Sequence, residues 1–108
     1  MTSIDGVDFT EAPGEVEGSP YWVDLWGCVN GYRIGMQVKP DSFRSASVSV
    51  YQGKARSGMR RGHYKFQSDY GGKVFTTNLT RGEPPEYMVR AISEEIVRLR
   101  NLPSGDHC

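Results

Sequence analysis

Tyr21–Pro40, YWVDLWGCVNGYRIGMQVKP, is the stretch on which the fold turns. Two apolar-rich runs flank Asn30-Gly31, the strongest short-range signal for a β-hairpin, because a type I′ turn needs positive φ at both central residues. A two-residue turn fixes the register. Val29 faces Tyr32, Cys28 faces Arg33, Leu25 faces Met36 and Asp24 faces Gln37. Side chains alternate along a strand, so Val23, Leu25, Tyr32, Ile34, Met36 and Val38 are expected on one apolar face. Trp22, Asp24, Arg33, Gln37 and Lys39 are expected on the other, where a carboxylate, an amide oxygen and an ammonium converge.

Outward from the hairpin, Met1–Pro20 carries five acids (Asp5, Asp8, Glu11, Glu15, Glu17) and no Lys or Arg. With breaks at Gly6, Pro13-Gly14 and Gly18, residues 1–20 read as an acidic, loosely ordered lead-in, in which Ile4, Val7 and Phe9 could make one short strand. Beyond the hairpin, Asp41–Arg61 reads as a helix followed by a mobile basic loop, capped by Asp41 or Ser42. His63–Tyr70 reads as a short helix closed by Gly71-Gly72. Val74–Thr77 follows as a strand. Glu83-Pro84-Pro85-Glu86 opens a last helix whose buried stripe is Val89, Ile92, Ile96 and Leu99. One domain over residues 21–102 with a short tail, 103–108, results. The fold class is α/β (α+β): a small mixed sheet with an Asn-Gly hairpin, a crossover helix and a C-terminal helix. The strand Gln37–Lys39 is central and the helices pack on the apolar face.

The formal net charge is zero, which hides a basic middle. Arg33–Lys65 holds eight basic residues and one acid, Asp41, and that asymmetry bears on partners. No apolar run approaches a membrane span, and no basic stretch followed by an apolar core marks a secretory signal. Cys28 and Cys108 suggest neither a ligand spacing nor a disulfide framework, so a cytoplasmic location is the default expectation.

Asp24 with Gln37-Val38-Lys39 carries the chemistry. Mg²⁺ takes oxygen ligands and keeps several waters, so one or two protein oxygens plus phosphate suffice. Asp24 is the charged ligand, Gln37 offers an amide oxygen, and Lys39 can orient the attacking water and offset charge on the phosphorane. Glu15 or Glu17 is the candidate to complete the set. The plain alternative is the solvent-washed face of an antiparallel hairpin. Lys54, Arg56, Arg60, Arg61 and Lys65, interleaved with His63 and Tyr64, are candidates to follow a phosphate backbone.

These residues carry a resemblance. Asp24 with Gln37-Val38-Lys39, then HYKFQSDYGGKVF and a final helix ending IVRLRNL, resemble the PD-(D/E)xK nuclease superfamily. Within it, they resemble the C-terminal half of MjaI-like type II restriction endonucleases. The resemblance spans roughly Tyr21 to Leu102. It implies a restriction-endonuclease-like core, Mg²⁺-dependent cleavage of duplex DNA, and a homodimer. It makes Asp24 and Gln37 metal ligands and Lys39 the catalytic lysine. Gln37 stands where the family usually has an acid, and only a short segment precedes Asp24. A shortened or inactive relative is therefore one form of this reading. Two alternatives differ in class: a non-catalytic dimeric nucleic-acid-binding protein, and a small α+β ligand-binding protein with a pocket lined by Trp22 and Trp26.

Overall fold

A computed structural model describes residues 2–18, 20–38, 54–77 and 83–108. The Asn-Gly turn sits at its centre as expected. Asn30 and Gly31 have φ of 52° and 82°, as a type I′ turn requires. It joins β3 (Leu25–Val29) to β4 (Tyr32–Val38), with Leu25↔Met36, Cys28↔Arg33 and Val29↔Tyr32 in register. α2 (Lys54–Tyr70) then leads to β5 (Gly71–Thr77), which pairs parallel to β4, and α3 (Glu86–Arg100) follows.

The front of the chain is built, not loose. β1 (Thr2–Ile4) and β2 (Val7–Glu11) form a second hairpin around Asp5-Gly6, whose φ values of 54° and 82° repeat the turn geometry of Asn30-Gly31. β2 pairs with β3 through Thr10↔Trp26 and Glu11↔Leu25. A single helical turn, α1 (Gly14–Glu17), buries Val16. The result is a small mixed α+β fold with a five-stranded sheet in the order β1-β2-β3-β4-β5, in which β4 lies between β3 and β5.

Both faces of the sheet are covered, which corrects the expectation of helices on one side. Ile34 and Met36 of β4 share a core with Ile4, Val7, Phe9 and Val29, closed by Ile92, Ile96 and Leu99 of α3. The opposite face, expected to be the wet side, holds Trp26 and Val74 packed against Phe66 and Tyr70 of α2. Val23 also belongs to this second core and not to the first. The strand does not begin until Leu25, and Trp22 takes a φ of 61°, which breaks the alternation before Val23.

α2 replaces the expected basic loop over residues 54–61 and merges with the short helix expected over 63–70. Gly62, Phe66 and Tyr70, four apart, put one row toward the sheet. A Cβ on Gly62 would collide with the Pro20 carbonyl, so the glycine that reads as a break marks a close approach. The helix and caps expected over 41–53 lie outside the described residues. The stripe of α3 holds, with Val89 half-buried at its start. Glu95 joins the buried side at 3% exposure. Its carboxylate accepts two bonds from the Arg98 guanidinium, at 2.7 and 2.8 Å, and one from the Lys73 amide at 2.8 Å. Burial pushes this carboxyl up, but the bonds from Arg98 and Lys73 outweigh it and hold it below its usual range. Arg98 also donates to the Gly71 carbonyl, tying α3 to the start of β5.

The tail closes over the hairpin tip. Gly105 donates to the Asn30 carbonyl and His107 to the Gly31 carbonyl, while the Asn30 amide donates to the Leu99 and Leu102 carbonyls. Any side chain on Gly31 would collide with Gly105. Cys28 and Cys108 form a disulfide with Cα atoms 6.1 Å apart. That overturns the expectation of no disulfide, and with it the support that free cysteines lent to a cytoplasmic location. No helix among the described residues is long and apolar enough to cross a membrane.

The disulfide closes a loop of 80 residues, for which chain entropy gives a stabilisation of about 4.5 kcal/mol. Urea denaturation of the oxidised protein and of the Cys28→Ser, Cys108→Ser double variant is expected to differ by on the order of that amount. Equal midpoints, or two titratable thiols in the folded native protein, would contradict the bridge.

Candidate functional site

Asp24 lies where the chain enters the sheet, and its backbone is used on both sides. Its carbonyl accepts from the Ala12 amide at 2.9 Å, and its own amide donates to the Met36 carbonyl at 2.9 Å. Its side chain crosses to β4, where Oδ2 accepts from the Val38 amide at 2.8 Å. The carboxylate thus takes a place that a strand carbonyl would normally fill, which explains an acid tolerated at a strand entry. A carboxylate has about four acceptor positions, so one bond to Val38 leaves capacity for another partner.

Gln37 precedes Val38 and is buried at 6% exposure. Alternation sends it to the α2 side of the sheet, away from Met36. Of the expected set, the described contacts join the Asp24 carboxylate to the backbone amide of Val38, the residue after Gln37. Lys39 lies outside the described residues. Among the described residues no three His, Cys, Asp or Glu side chains form a metal-binding group. Glu15 and Glu17 are exposed on α1, and the expected completion of the set by either is not seen. A donor set of one carboxylate and neutral oxygens suits a hard, largely hydrated cation such as Mg²⁺ and does not suit Zn²⁺.

The basic residues lie along a helix. Arg60 and Arg61 are exposed on α2. Lys54 and Arg56 fall within its first turn. Lys65 is already engaged: its ammonium is 3.2 Å from the Asp69 carboxylate and lies over the Tyr21 ring. The Tyr21 hydroxyl donates to Asp69 at 2.6 Å. That bond, with burial, pushes the Tyr21 hydroxyl up to about 12. The same bond from Tyr21, joined by Lys65, holds the Asp69 carboxyl below its usual value. Of the expected phosphate contacts, Lys65 is thus drawn into a local network, while Arg60 and Arg61 stand in solvent.

The two tryptophans part company. Trp26 is packed edge-on against Tyr70 and covered by Arg33, whose guanidinium carbon is 3.9 Å from the ring centre. Burial lowers the Arg33 pKa, and its Nε is buried without a hydrogen-bond partner. Trp22 instead meets α2 at Gly62 and is 38% exposed. Gly62 and Tyr70 are eight residues apart, roughly 12 Å along a helix, so the two indoles meet different turns of α2. His63, half-buried, has Nε2 3.3 Å from the Trp22 carbonyl.

Several features escaped the sequence reading. The Asp5-Gly6 turn carried the same signal as Asn30-Gly31. The Glu95–Arg98 pair stood at a helical three-residue spacing. The Tyr21–Asp69 bond joins residues 48 apart, and no local pattern marks it.

The chain matches no protein-family model, no curated protein and no solved structure.

Asp24→Ala leaves the Val38 amide without its acceptor and is expected to cost about 1–3 kcal/mol. Asp24→Asn keeps an acceptor oxygen in place and is expected to cost about 1 kcal/mol or less. Urea midpoints of the two variants check this, and equal stability of Asp24→Ala and the native chain would contradict the Asp24–Val38 bond.

Proposed function

We propose that this chain hydrolyses phosphodiester bonds of duplex DNA in a Mg²⁺-dependent reaction, on a core of the restriction-endonuclease type. The observation that carries the reading is the cross-strand bond from the Val38 amide to Asp24 Oδ2, which holds the acid beside Gln37-Val38 at the end of β4. The order of elements supports it: an antiparallel run β2-β3-β4, a helix, then a strand parallel to β4.

Asp24 and Gln37, with the Val38 carbonyl, would hold the ion. When bound, Mg²⁺ supplies Lewis acidity toward the scissile phosphate and charge to offset the developing negative phosphorane. The chain's own residues do the rest. Asp24, fixed by Val38, presents its remaining oxygen lone pairs in one orientation. Lys39, two residues beyond Gln37 in the sequence, would serve to orient the attacking water and take up its proton. Arg60 and Arg61, exposed on α2, grip backbone phosphates, with Lys54 and Arg56 toward the helix start. A homodimer would place two such sites on the two strands of a duplex.

A second reading is binding without cleavage. The presence of one acid, Asp24, and no three-residue ligand group among the described residues favours it.

Supercoiled plasmid and mixed-sequence linear duplex, incubated with Mg²⁺ or Mn²⁺, separate the two. Cleavage is expected from the native chain. Asp24→Asn and Lys39→Ala are each expected to lose it by on the order of 100-fold or more, with unchanged circular dichroism. Salt-sensitive DNA binding without any cut in either metal would establish the second reading and remove the first.

A further inference from the structure

We propose that Trp22 is a base-stacking side chain, which receives an unpaired nucleobase beside the turn of α2 that carries Arg60 and Arg61. This rests on the nucleic-acid reading above but not on hydrolysis.

Three observations carry it. Trp22 has a φ of 61°, a left-handed backbone that a bulky residue rarely takes, and such outliers gather at ligand sites. Its neighbour Val23 is fully buried and supplies the local core contact, yet the indole is 38% exposed and does not join that core. The backbone is pinned in this conformation from both sides. The Trp22 amide donates to the Gly18 carbonyl at 2.9 Å, and His63 Nε2 stands 3.3 Å from the Trp22 carbonyl.

The surroundings suit a nucleotide. A Cβ on Gly62 would come within 2.9 Å of Trp22 Cδ1, so the indole edge rests against bare helix backbone. The two residues before Gly62 are the exposed Arg60 and Arg61. The half-exposed indole thus rests on the turn of α2 that carries two exposed arginines, and an aromatic face with cationic side chains on the adjoining helix turn suits a sugar–phosphate chain whose base stacks. Trp26 does not share this role, since Arg33 already lies over its ring.

The test uses twenty-residue oligothymidylate in EDTA, so that no cleavage intervenes, read by indole emission and by anisotropy of a labelled strand. Binding is expected to quench native emission. Trp22→Asn, an αL-tolerant replacement, is expected to abolish that quenching, although Trp26 remains, and to weaken binding roughly 5- to 100-fold. Trp22→Phe is expected to fall between the two. An abasic strand of the same length, added to the native chain, is expected to bind more weakly by a similar factor and to leave the emission unchanged. That arm needs no variant and stands even if Trp22→Asn fails to fold. No binding of oligothymidylate by the native chain, binding by folded Trp22→Asn as tight as native, or equal affinity for the abasic strand would overturn the proposal. Quenching by oligothymidylate in a protein that cuts no DNA with Mg²⁺ would remove the hydrolase and leave the stacking role. Cleavage by the native chain together with native-like binding by Trp22→Asn would do the reverse.

Discussion

The two-residue turn at Asn30-Gly31 sets the phase of every other contact. With Val29 paired to Tyr32, alternation sends Ile34 and Met36 toward α3 and Trp26, Arg33 and Gln37 toward α2. A slip of one residue would exchange these sets and place Arg33 in the core of Ile92, Ile96 and Leu99. The turn is held from outside as well. The tail lies across it through Gly105 and His107, and the disulfide between Cys28 and Cys108 ties that tail to β3. The tip of the hairpin is therefore fixed, and its open end, where Asp24 meets Val38, inherits the register.

Charge is distributed in keeping with this frame. Glu95, buried beneath α3, is matched by Arg98 and the Lys73 amide and serves to dock the helix. Asp69 is shared between Tyr21 and Lys65 at the end of α2. Each of these groups is spent on structure. Asp24 differs: among the described residues its carboxylate accepts from the Val38 amide, which positions it without exhausting its acceptor capacity. Arg60 and Arg61 belong to α2, which packs through Phe66 and Tyr70 on the sheet face that holds Trp26 and Val74.

Much of this was legible in the residues. The hairpin, its register, the α3 stripe and the parallel strand after a helix all follow from turn chemistry and periodicity. What failed did so for identifiable reasons. Gly6 reads as a break in a segment of little periodicity, yet with Asp5 it makes the turn of a hairpin that buries Ile4, Val7 and Phe9. The basic loop expected up to Arg61 is helix instead, and Gly62 lets α2 approach the chain at Pro20 and Trp22. Trp22 at positive φ displaced Val23 from its expected face, an effect of tertiary packing that alternation cannot report. The disulfide spans 80 residues, beyond any spacing rule. For the site, the pairing of Asp24 with the Gln37-Val38 stretch was visible. The burial of Gln37 was not, nor was the bond from Tyr21 to Asp69, which joins residues 48 apart, whereas Lys65 and Asp69 stand at the four-residue spacing of a helical pair.

Paramagnetic broadening of backbone amide signals by Mn²⁺ addresses the placement of the site directly. An ion held at Asp24 erases the amide signals of Asp24, Gln37 and Val38 at substoichiometric metal. It spares those of Val29 and Tyr32, about 16 Å away along the same two strands. Broadening centred on Asp69 or Asp106, or intact Gln37 and Val38 signals at excess Mn²⁺, would contradict an ion site at the open end of the hairpin.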